Sequence, residues 1–124
     1  MVLYQADPRG VGVATGANEQ MAVAQVFQFQ INPGKNQEFN AQVAEAKKIQ
    51  ERLGGRVRVW QATMAGPNSG FISYVIEHDN LAAFATFSDK LAADADWLAF
   101  VAKTFGANPS ARVVAGSLAN EVTP

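Results

Sequence analysis

Apolar and polar residues alternate along the segment Val23–Ile31, and this period of two predicts a β-strand. Phe27, Phe29 and Ile31 share one side of the predicted strand, and the glutamines between them take the other side. The alternation stops after Ile31. The patterned part of the chain therefore opens with a strand that has two distinct faces.

After Asn32-Pro33-Gly34 the apolar residues recur at spacings of three and four, which predicts an amphipathic helix. We expect Asn32 to cap this helix and Pro33 to occupy its first turn, where a missing N–H costs nothing. Gly54 and Gly55 are expected to end it, because glycine tolerates the left-handed conformation of a helix terminus. The predicted core-facing stripe consists of Phe39, Val43, Ala46, Ile49 and Leu53.

A second alternating pattern covers residues 56–64, and a third covers residues 71–78. The turn-forming cluster AGPNSG separates the two. Because the connection is short, the two predicted strands are expected to pair as an antiparallel hairpin.

A second helical pattern follows the hairpin. Asp79 or Asn80 is expected to cap it, and Asp94 is expected to break it by capping a further helical segment. Residues 111–122 form the last predicted strand, in which Gly116 is expected to mark a bulge or a close contact.

The predicted order β-α-β-β-α-β is that of an α+β, ferredoxin-like sandwich, in which the helices cover one face of a four-stranded sheet. The second face of the predicted sheet also carries apolar side chains, among them Val26, Trp60 and Val75. A sheet that is apolar on both faces needs cover on both. We therefore expect a homodimer in which two copies of the chain pack sheet to sheet.

The balance of charged residues limits the classes of partner that we expect the chain to bind. Ten Lys and Arg residues face eleven Asp and Glu residues, so the formal charge is −1, and we expect neither nucleic acid nor an anionic membrane as a partner. No stretch approaches the roughly 20 apolar residues of a membrane span. The chain contains no cysteine, which excludes disulfides and thiolate chemistry and is compatible with the cytoplasm.

Residues 1–20 differ from the rest of the chain, since they are rich in glycine and show no clean period. We interpret them as an arm that precedes a single domain at residues 21–124. The few apolar residues of the arm, Val2, Leu3 and Tyr4, have little to bury against. We expect the arm to cross to a partner subunit.

Three segments together resemble one known family. They are FQFQINPGKNQEF, in which the first strand ends in Pro-Gly-Lys, the segment 54–97 with its aspartate-containing helix break, and SARVVAGSLANEV at the last strand. In this pattern the chain resembles the dimeric α/β-barrel proteins, whose two ferredoxin-like subunits close their sheets into one barrel. The likeness covers residues 21–122.

The resemblance implies a fold more sharply than a function. Members of the family include cofactor-independent monooxygenases, haem-degrading enzymes, chlorite-decomposing haem enzymes, lactone isomerases and proteins of no known activity. The haem-degrading members use a histidine on the second helix, and this chain has none there. The resemblance therefore favours a protein without a cofactor.

His78 is the single histidine, so any imidazole chemistry depends on it. We predict that it is a catalytic candidate and that the neighbouring carboxylates of Glu77 and Asp79 favour its protonated form. The alternative is a structural residue that bonds a backbone carbonyl or a helix terminus. A lone histidine is not a ligand set, so no metal site is predicted.

Trp60 and Tyr74 lie on neighbouring predicted strands, and we expect them to line one pocket for a flat apolar ligand. Tyr74 is the second catalytic candidate, and Trp60 is assigned to substrate binding. The alternative for both is packing in the core or in the dimer.

Arg58 and Arg112 are charged residues within predicted strands, where a charge must be paired or reach solvent. Either is a candidate for binding an anionic substrate group. The alternative is an ion pair with an acidic residue of the second subunit.

Two functions follow from these residues and the resemblance. The first is a cofactor-independent monooxygenase that acts on a small aromatic molecule, desolvates an electron-rich phenol and stabilises its anion for reaction with oxygen. The second is a non-catalytic module that binds a small apolar ligand or supports assembly.

Overall fold

A computed structural model describes residues 21–64, 66–68 and 70–122, so the predicted arm at residues 1–20 lies outside the described residues. The described part of the chain forms four strands and three helices. In chain order they are β1 (Val23–Ile31), α1 (Asn36–Arg52), β2 (Arg56–Gln61), β3 (Ile72–His78), α2 (Leu81–Ala93), α3 (Ala95–Thr104) and β4 (Ala111–Asn120). Helices α2 and α3 are the two parts of the interrupted helix that the sequence predicts.

The four strands form one antiparallel sheet in the order β2-β3-β1-β4. A hairpin joins β2 and β3 as predicted, and β1 lies between β3 and β4. This is the strand arrangement of the ferredoxin-like α+β fold, so that prediction is confirmed. β2 ends at Gln61, before the predicted end of the strand at Met64.

One face of the sheet packs against the helices and forms the core. Ile76 of β3 is 2% exposed, and it lies in one cluster with Ile49 of α1, Phe87 of α2 and Phe100 of α3. Full burial of such a side chain contributes about 1.5–3 kcal/mol. A Cβ at Gly55 would lie 2.7 Å from Ile76 Cγ2, so glycine is required where the turn after α1 approaches β3.

The start of α1 differs from the prediction, since Asn32 does not cap the helix. The backbone N–H of Lys35 donates to the Asn32 carbonyl at 3.1 Å, and Gly34 adopts a φ of 77°, so a tight turn delays the helix to Asn36. The Asn32 side chain instead donates from Nδ2 to the Pro109 carbonyl at 2.8 Å. It ties the end of β1 to the loop before β4.

The pairing of β1 with β4 contains a register shift. Gln28 opposes Ala115 and Phe29 opposes Val113, so the irregularity lies between these pairs rather than at Gly116. Gly116 makes the predicted close contact instead, because a Cβ there would lie 3.3 Å from Phe27 Cδ1.

Among the described residues, no helix combines the length and the apolar character that crossing a bilayer requires.

Candidate functional site

The sheet register decides which side chains meet. Phe27 pairs with Tyr74, and Tyr74 pairs with Val59, so these three residues share the face that carries the helices. Trp60 pairs with Ser73 and therefore points to the opposite face. The prediction that Trp60 and Tyr74 line one pocket is wrong, because the two positions are out of step by one residue across the hairpin.

A cavity of about 250 Å³ lies between the helix-bearing face of the sheet and the helices. Its walls are largely apolar, and no charged side chain of the described residues lines it. Seven lining residues are aromatic: Phe27 and Phe29 of β1, Phe39 of α1, Tyr74 of β3, Trp97 and Phe100 of α3, and Phe105 after it. Trp97 and Phe100 stack with ring centroids 5.3 Å apart. The cavity therefore suits a neutral, flat ligand.

Residues with polar side chains line this cavity from α1, α3, β1, β3 and the loop before β4. The Tyr74 hydroxyl donates to Gln50 Oε1, and the Ser110 hydroxyl donates to Gln42 Oε1. Thr104 also lines the cavity, and its buried Oγ1 has no hydrogen-bond partner among the described residues. Residues with hydroxyl and amide groups thus form part of an otherwise apolar lining.

Tyr74 is 5% exposed, and its ionisation is suppressed. Burial raises the pKa of its phenol well above the ordinary value, and the negative charge of Glu51 adds to the rise. Tyr74 is therefore a neutral phenol at physiological pH. Its one proton is donated to Gln50, and the phenol is not available as a base.

His78 is 1% exposed and lies behind the cavity rather than in its lining. Its ring packs against Phe84 and Phe87, with centroid distances of 5.4 and 4.7 Å. Its Nε2 lies 3.2 Å from Oε1 of Gln25, and Gln25 does line the cavity. His78 therefore bonds a side chain of β1, rather than the backbone carbonyl or helix terminus of the structural alternative.

The expectation that nearby carboxylates favour protonated His78 is also wrong. Burial lowers the pKa of His78, Arg56 lowers it further, and Asp79 only partly opposes them. Arg56 Nη1 binds Asp79 Oδ1 at 2.7 Å, and Arg56 Nε lies 3.9 Å from Glu77 Oε1. The two carboxylates are therefore paired with a cation, and His78 remains neutral.

Arg58 and Arg112 do not line the cavity. The Arg58 guanidinium is exposed, with Nε 3.6 Å from Glu77 Oε2, and Arg112 donates to Gln30 Oε1. Both pairs lie on the face of the sheet opposite the helices. Neither arginine is positioned to hold an anion beside Tyr74.

Sequence reasoning missed the polar lining of the cavity, although a signal was present. Gln42 follows Phe39 by three residues, Gln50 follows Ala46 by four, and Thr104 follows Phe100 by four. Each is a polar residue at a core-facing position of an amphipathic helix. Such a residue is either paired within the core or directed into a cavity.

No cluster of three or more histidine or carboxylate side chains within residues 21–64, 66–68 and 70–122 could hold a metal ion. The cavity lining offers amides, hydroxyls and aromatic rings, which do not make a set of metal ligands.

The fold and the cavity define a class of protein: a ferredoxin-like α+β domain with a pocket between its helices and its sheet. No family model and no curated protein matches the chain. Among solved structures, a NIPSNAP family protein of unknown function from Agrobacterium tumefaciens is 19% identical, with a TM-score of 0.63 over 83% of this chain and 89% of its own. An uncharacterised NIPSNAP domain protein from Burkholderia xenovorans is also 19% identical, with a TM-score of 0.63 over 82% and 94%.

A further solved structure is of a protein whose name includes an enzymatic activity. It is a Bordetella bronchiseptica protein provisionally described as an antibiotic biosynthesis monooxygenase, which is 17% identical, with a TM-score of 0.56 over 84% of this chain and 100% of its own. At these identities the similarity establishes the shared fold and no activity.

Proposed function

We propose that the protein binds a small, neutral, ring-containing molecule in the cavity between helices and sheet. The observation that carries the proposal is the apolar, uncharged lining, which has seven aromatic residues and also three glutamines, one serine and one threonine. Small-molecule sites have this composition: apolar walls give affinity, and a few polar groups give orientation. A charged ligand would lose its hydration in this cavity without gaining a counter-ion from the described lining.

The volume limits the ligand. About 250 Å³ lies just below the usual range of small-molecule sites, roughly 300–1,000 Å³. One aromatic ring or two fused rings is the size that we expect the cavity to hold. Naphthalene and 2-naphthol are therefore suitable probes.

Two alanines of α1 provide a matched test. Ala46 lines the cavity and is 8% exposed, whereas Ala44 is on the exposed side of the same helix. Ala46→Phe fills the cavity and should abolish the rise in melting temperature that 2-naphthol produces, because a ligand stabilises only the folded form that binds it. Ala44→Phe should respond like the unaltered protein. An equal response of all three proteins would contradict binding in this cavity.

Cofactor-independent oxygenation of a phenol is the second candidate. Its support is the fold shared with the Bordetella protein and an aromatic cavity that would exclude water from the reaction. In this candidate Tyr74 exchanges its hydrogen bond to Gln50 for one to the substrate oxygen, and His78 positions Gln25. The described lining lacks a cation to hold the phenol's anion, which is why binding is the leading proposal.

Dissolved-oxygen consumption separates the two functions. A monooxygenase would accelerate oxygen uptake by an electron-rich phenol, and Tyr74→Phe would slow that uptake more than it weakens binding. A binding protein would leave the uptake at the rate of the protein-free solution.

We also propose that two copies of the chain associate through the face of the sheet opposite the helices. Val26 of β1 and Val75 of β3 are paired neighbours on this face, and Trp60 of β2 is 59% exposed there. No helix of the described residues covers them. Under this proposal Arg58 and Arg112 lie at the interface between the copies. Their alternative role, an ion pair with an acidic residue of the second subunit, belongs to this proposal.

A further inference from the structure

The cavity between the helices and the sheet has a closed end and an open end. At the closed end, the lining residues Phe39 of α1 and Tyr74 and Ile76 of β3 are buried. At the other end, Phe105 is 57% exposed and Val113 is 53% exposed, and both also line the cavity. The remaining described residues of the lining are buried or half-buried. The cavity therefore reaches the surface at Phe105 and Val113, which we call the mouth.

The topology of the sheet explains why the cavity opens at this end. The strand order is β2-β3-β1-β4, so β4 is an edge strand, whereas β3 lies inside the sheet. Val113 of β4 pairs with Phe29, which packs against the core, so Val113 lies on the face that carries the helices. Phe105 comes directly after α3, which ends at Thr104. The mouth thus lies where the helical cover ends over the edge of the sheet.

The mouth is apolar, and the cations beside it in the sequence have partners elsewhere. Lys103 Nζ lies 3.0 Å from Glu45 Oε1 on α1. Arg112 donates to Gln30 Oε1 on the face of the sheet opposite the helices. An apolar group at the mouth would remove the exposed surface of both side chains from water, which is favourable. An anionic group there would lose hydration and would compete with these existing pairs.

We propose that the ligand carries an apolar chain on its ring, and that this chain leaves the cavity through the mouth and packs against Phe105 and Val113. The inference rests on the proposed function, in which the ring occupies the cavity of about 250 Å³. It narrows the ligand to aromatic molecules with an alkyl substituent. The proposed dimer uses the opposite face of the sheet, so the mouth stays accessible in the dimer.

Two ethers of the same ring measure the contribution of the chain. 2-Methoxynaphthalene and 2-propoxynaphthalene differ by two methylene groups, and calorimetry gives the ratio of their affinities. We expect the propoxy ether to bind more tightly by about 2- to 4-fold for each methylene, the upper value being that of a fully buried one.

Variants at the mouth show where the chain lies. Phe105→Ser removes one apolar wall of the mouth and should at least halve the ratio of the two affinities. Val113→Thr replaces one methyl group of the other wall by a hydroxyl and should lower the ratio to a smaller extent. Leu98→Ser makes a matched change at an exposed residue of α3 outside the lining and should keep the ratio of the unaltered protein. Any effect on ring binding that both ethers share cancels in the ratio.

The outcomes separate the inference from the proposed function. If both ethers bind the unaltered protein equally tightly, or if Phe105→Ser and Leu98→Ser change the ratio alike, the chain does not use this mouth and the inference is overturned, while the cavity remains a binding site for the ring. If naphthalene and both ethers fail to bind the unaltered protein, the proposed function fails and the inference fails with it. A ratio that Phe105→Ser lowers and Leu98→Ser preserves supports both.

Discussion

His78 shows how its surroundings control a single side chain. It is almost fully buried between Phe84 and Phe87, and its hydrogen-bond partner is the neutral amide of Gln25. Burial first and then Arg56 lower its pKa below the ordinary 6.5. In the unfolded chain the same histidine titrates normally, so protons bind the unfolded chain more readily than the folded protein.

Acid should therefore destabilise the protein through this residue. The contribution of neutral His78 is fully present above pH 6.5 and is lost as the pH falls from there toward the lowered pKa of the folded state. We expect a loss of at most about 1.4 kcal/mol per pH unit in that window. Urea unfolding at pH 7 and at pH 5 measures this loss of stability.

A control variant separates the contribution of His78 to this loss of stability from that of the other ionisable groups. His78→Phe keeps an aromatic ring between Phe84 and Phe87 and removes the titrating group. The variant should lose less stability than the unaltered protein between pH 7 and pH 5. Equal losses would contradict this account of His78.

Single residues also mark the limit of sequence reasoning. Tyr74 was identified as a site candidate and does line the cavity. Trp60 was placed beside it because both lie on neighbouring strands, but the register puts them on opposite faces. Register depends on how the hairpin turn closes, and the loop sequence AGPNSG does not specify that to within one residue.

Helix termini connect the local sequence to the arrangement of elements. Asn80 accepts a hydrogen bond from the Ala83 N–H at 2.8 Å and begins α2, as predicted. Asp94 accepts from the Trp97 N–H at 2.9 Å and begins α3, also as predicted. The break at Asp94 separates the two helices, and α3 contributes Trp97, Phe100 and Thr104 to the cavity.

The cap at Asn80 should therefore be measurable. Asn80→Ala removes the acceptor for the Ala83 N–H and should lower the free energy of unfolding by about 1 kcal/mol. Asn80→Asp keeps a side-chain oxygen at the same position and should retain most of the stability. Urea denaturation compares the three proteins. Equal losses for both variants would contradict the assignment of this stability to the side-chain oxygen.

Elements with a clear period were predictable, whereas turns were not. The stripe of α1 and the alternation of β1 follow directly from residue spacing, and both are confirmed. The turn at residues 32–35 was not foreseen. Asparagine is a residue type that often caps helices, but the Asn32 side chain donates to the backbone carbonyl of Pro109, which is distant in sequence. Capping preferences that are read from neighbouring residues cannot predict a partner so far away in sequence.

At the scale of the whole molecule, the sheet has one face under the helices and one that no described helix covers. The second face carries Val26, Val75 and the exposed ring of Trp60, with arginines around them. Exposed apolar surface of this kind usually marks an interaction site. The proposed homodimer would bury it.

Two matched variants test the proposed dimer. Trp60→Glu places a charge on the face proposed as the interface, whereas Leu98→Glu places one at another exposed apolar position, 54% exposed on α3. Light scattering at micromolar concentration should give a dimer mass for the unaltered protein and for Leu98→Glu, and a monomer mass for Trp60→Glu. A monomer mass for the unaltered protein would contradict the proposal.

A pocket for a flat apolar ligand was expected from the sequence, but the lining and the size of the cavity could not be predicted. Residue spacing shows which side chains face the core, and it does not show whether they fill the space between helices and sheet. Packing density is a property of the assembled side chains, and a few misfitting rings leave a gap. Phe29 and Phe39, for example, meet at a centroid distance of 5.8 Å and a tilt of 58°, which no periodic pattern encodes.

The two tryptophans of the chain give the most direct test of the central claim, that the cavity binds a neutral ring. Trp97 lines the cavity, and Trp60 lies on the opposite face of the sheet. Trp60→Phe leaves Trp97 as the one fluorophore of its kind, and Trp97→Phe leaves Trp60. 1,4-Naphthoquinone, a neutral oxygenated ring that quenches indole fluorescence, is titrated into each variant. We expect saturable quenching of Trp97 and only weak, linear quenching of Trp60; linear quenching of both would contradict the account.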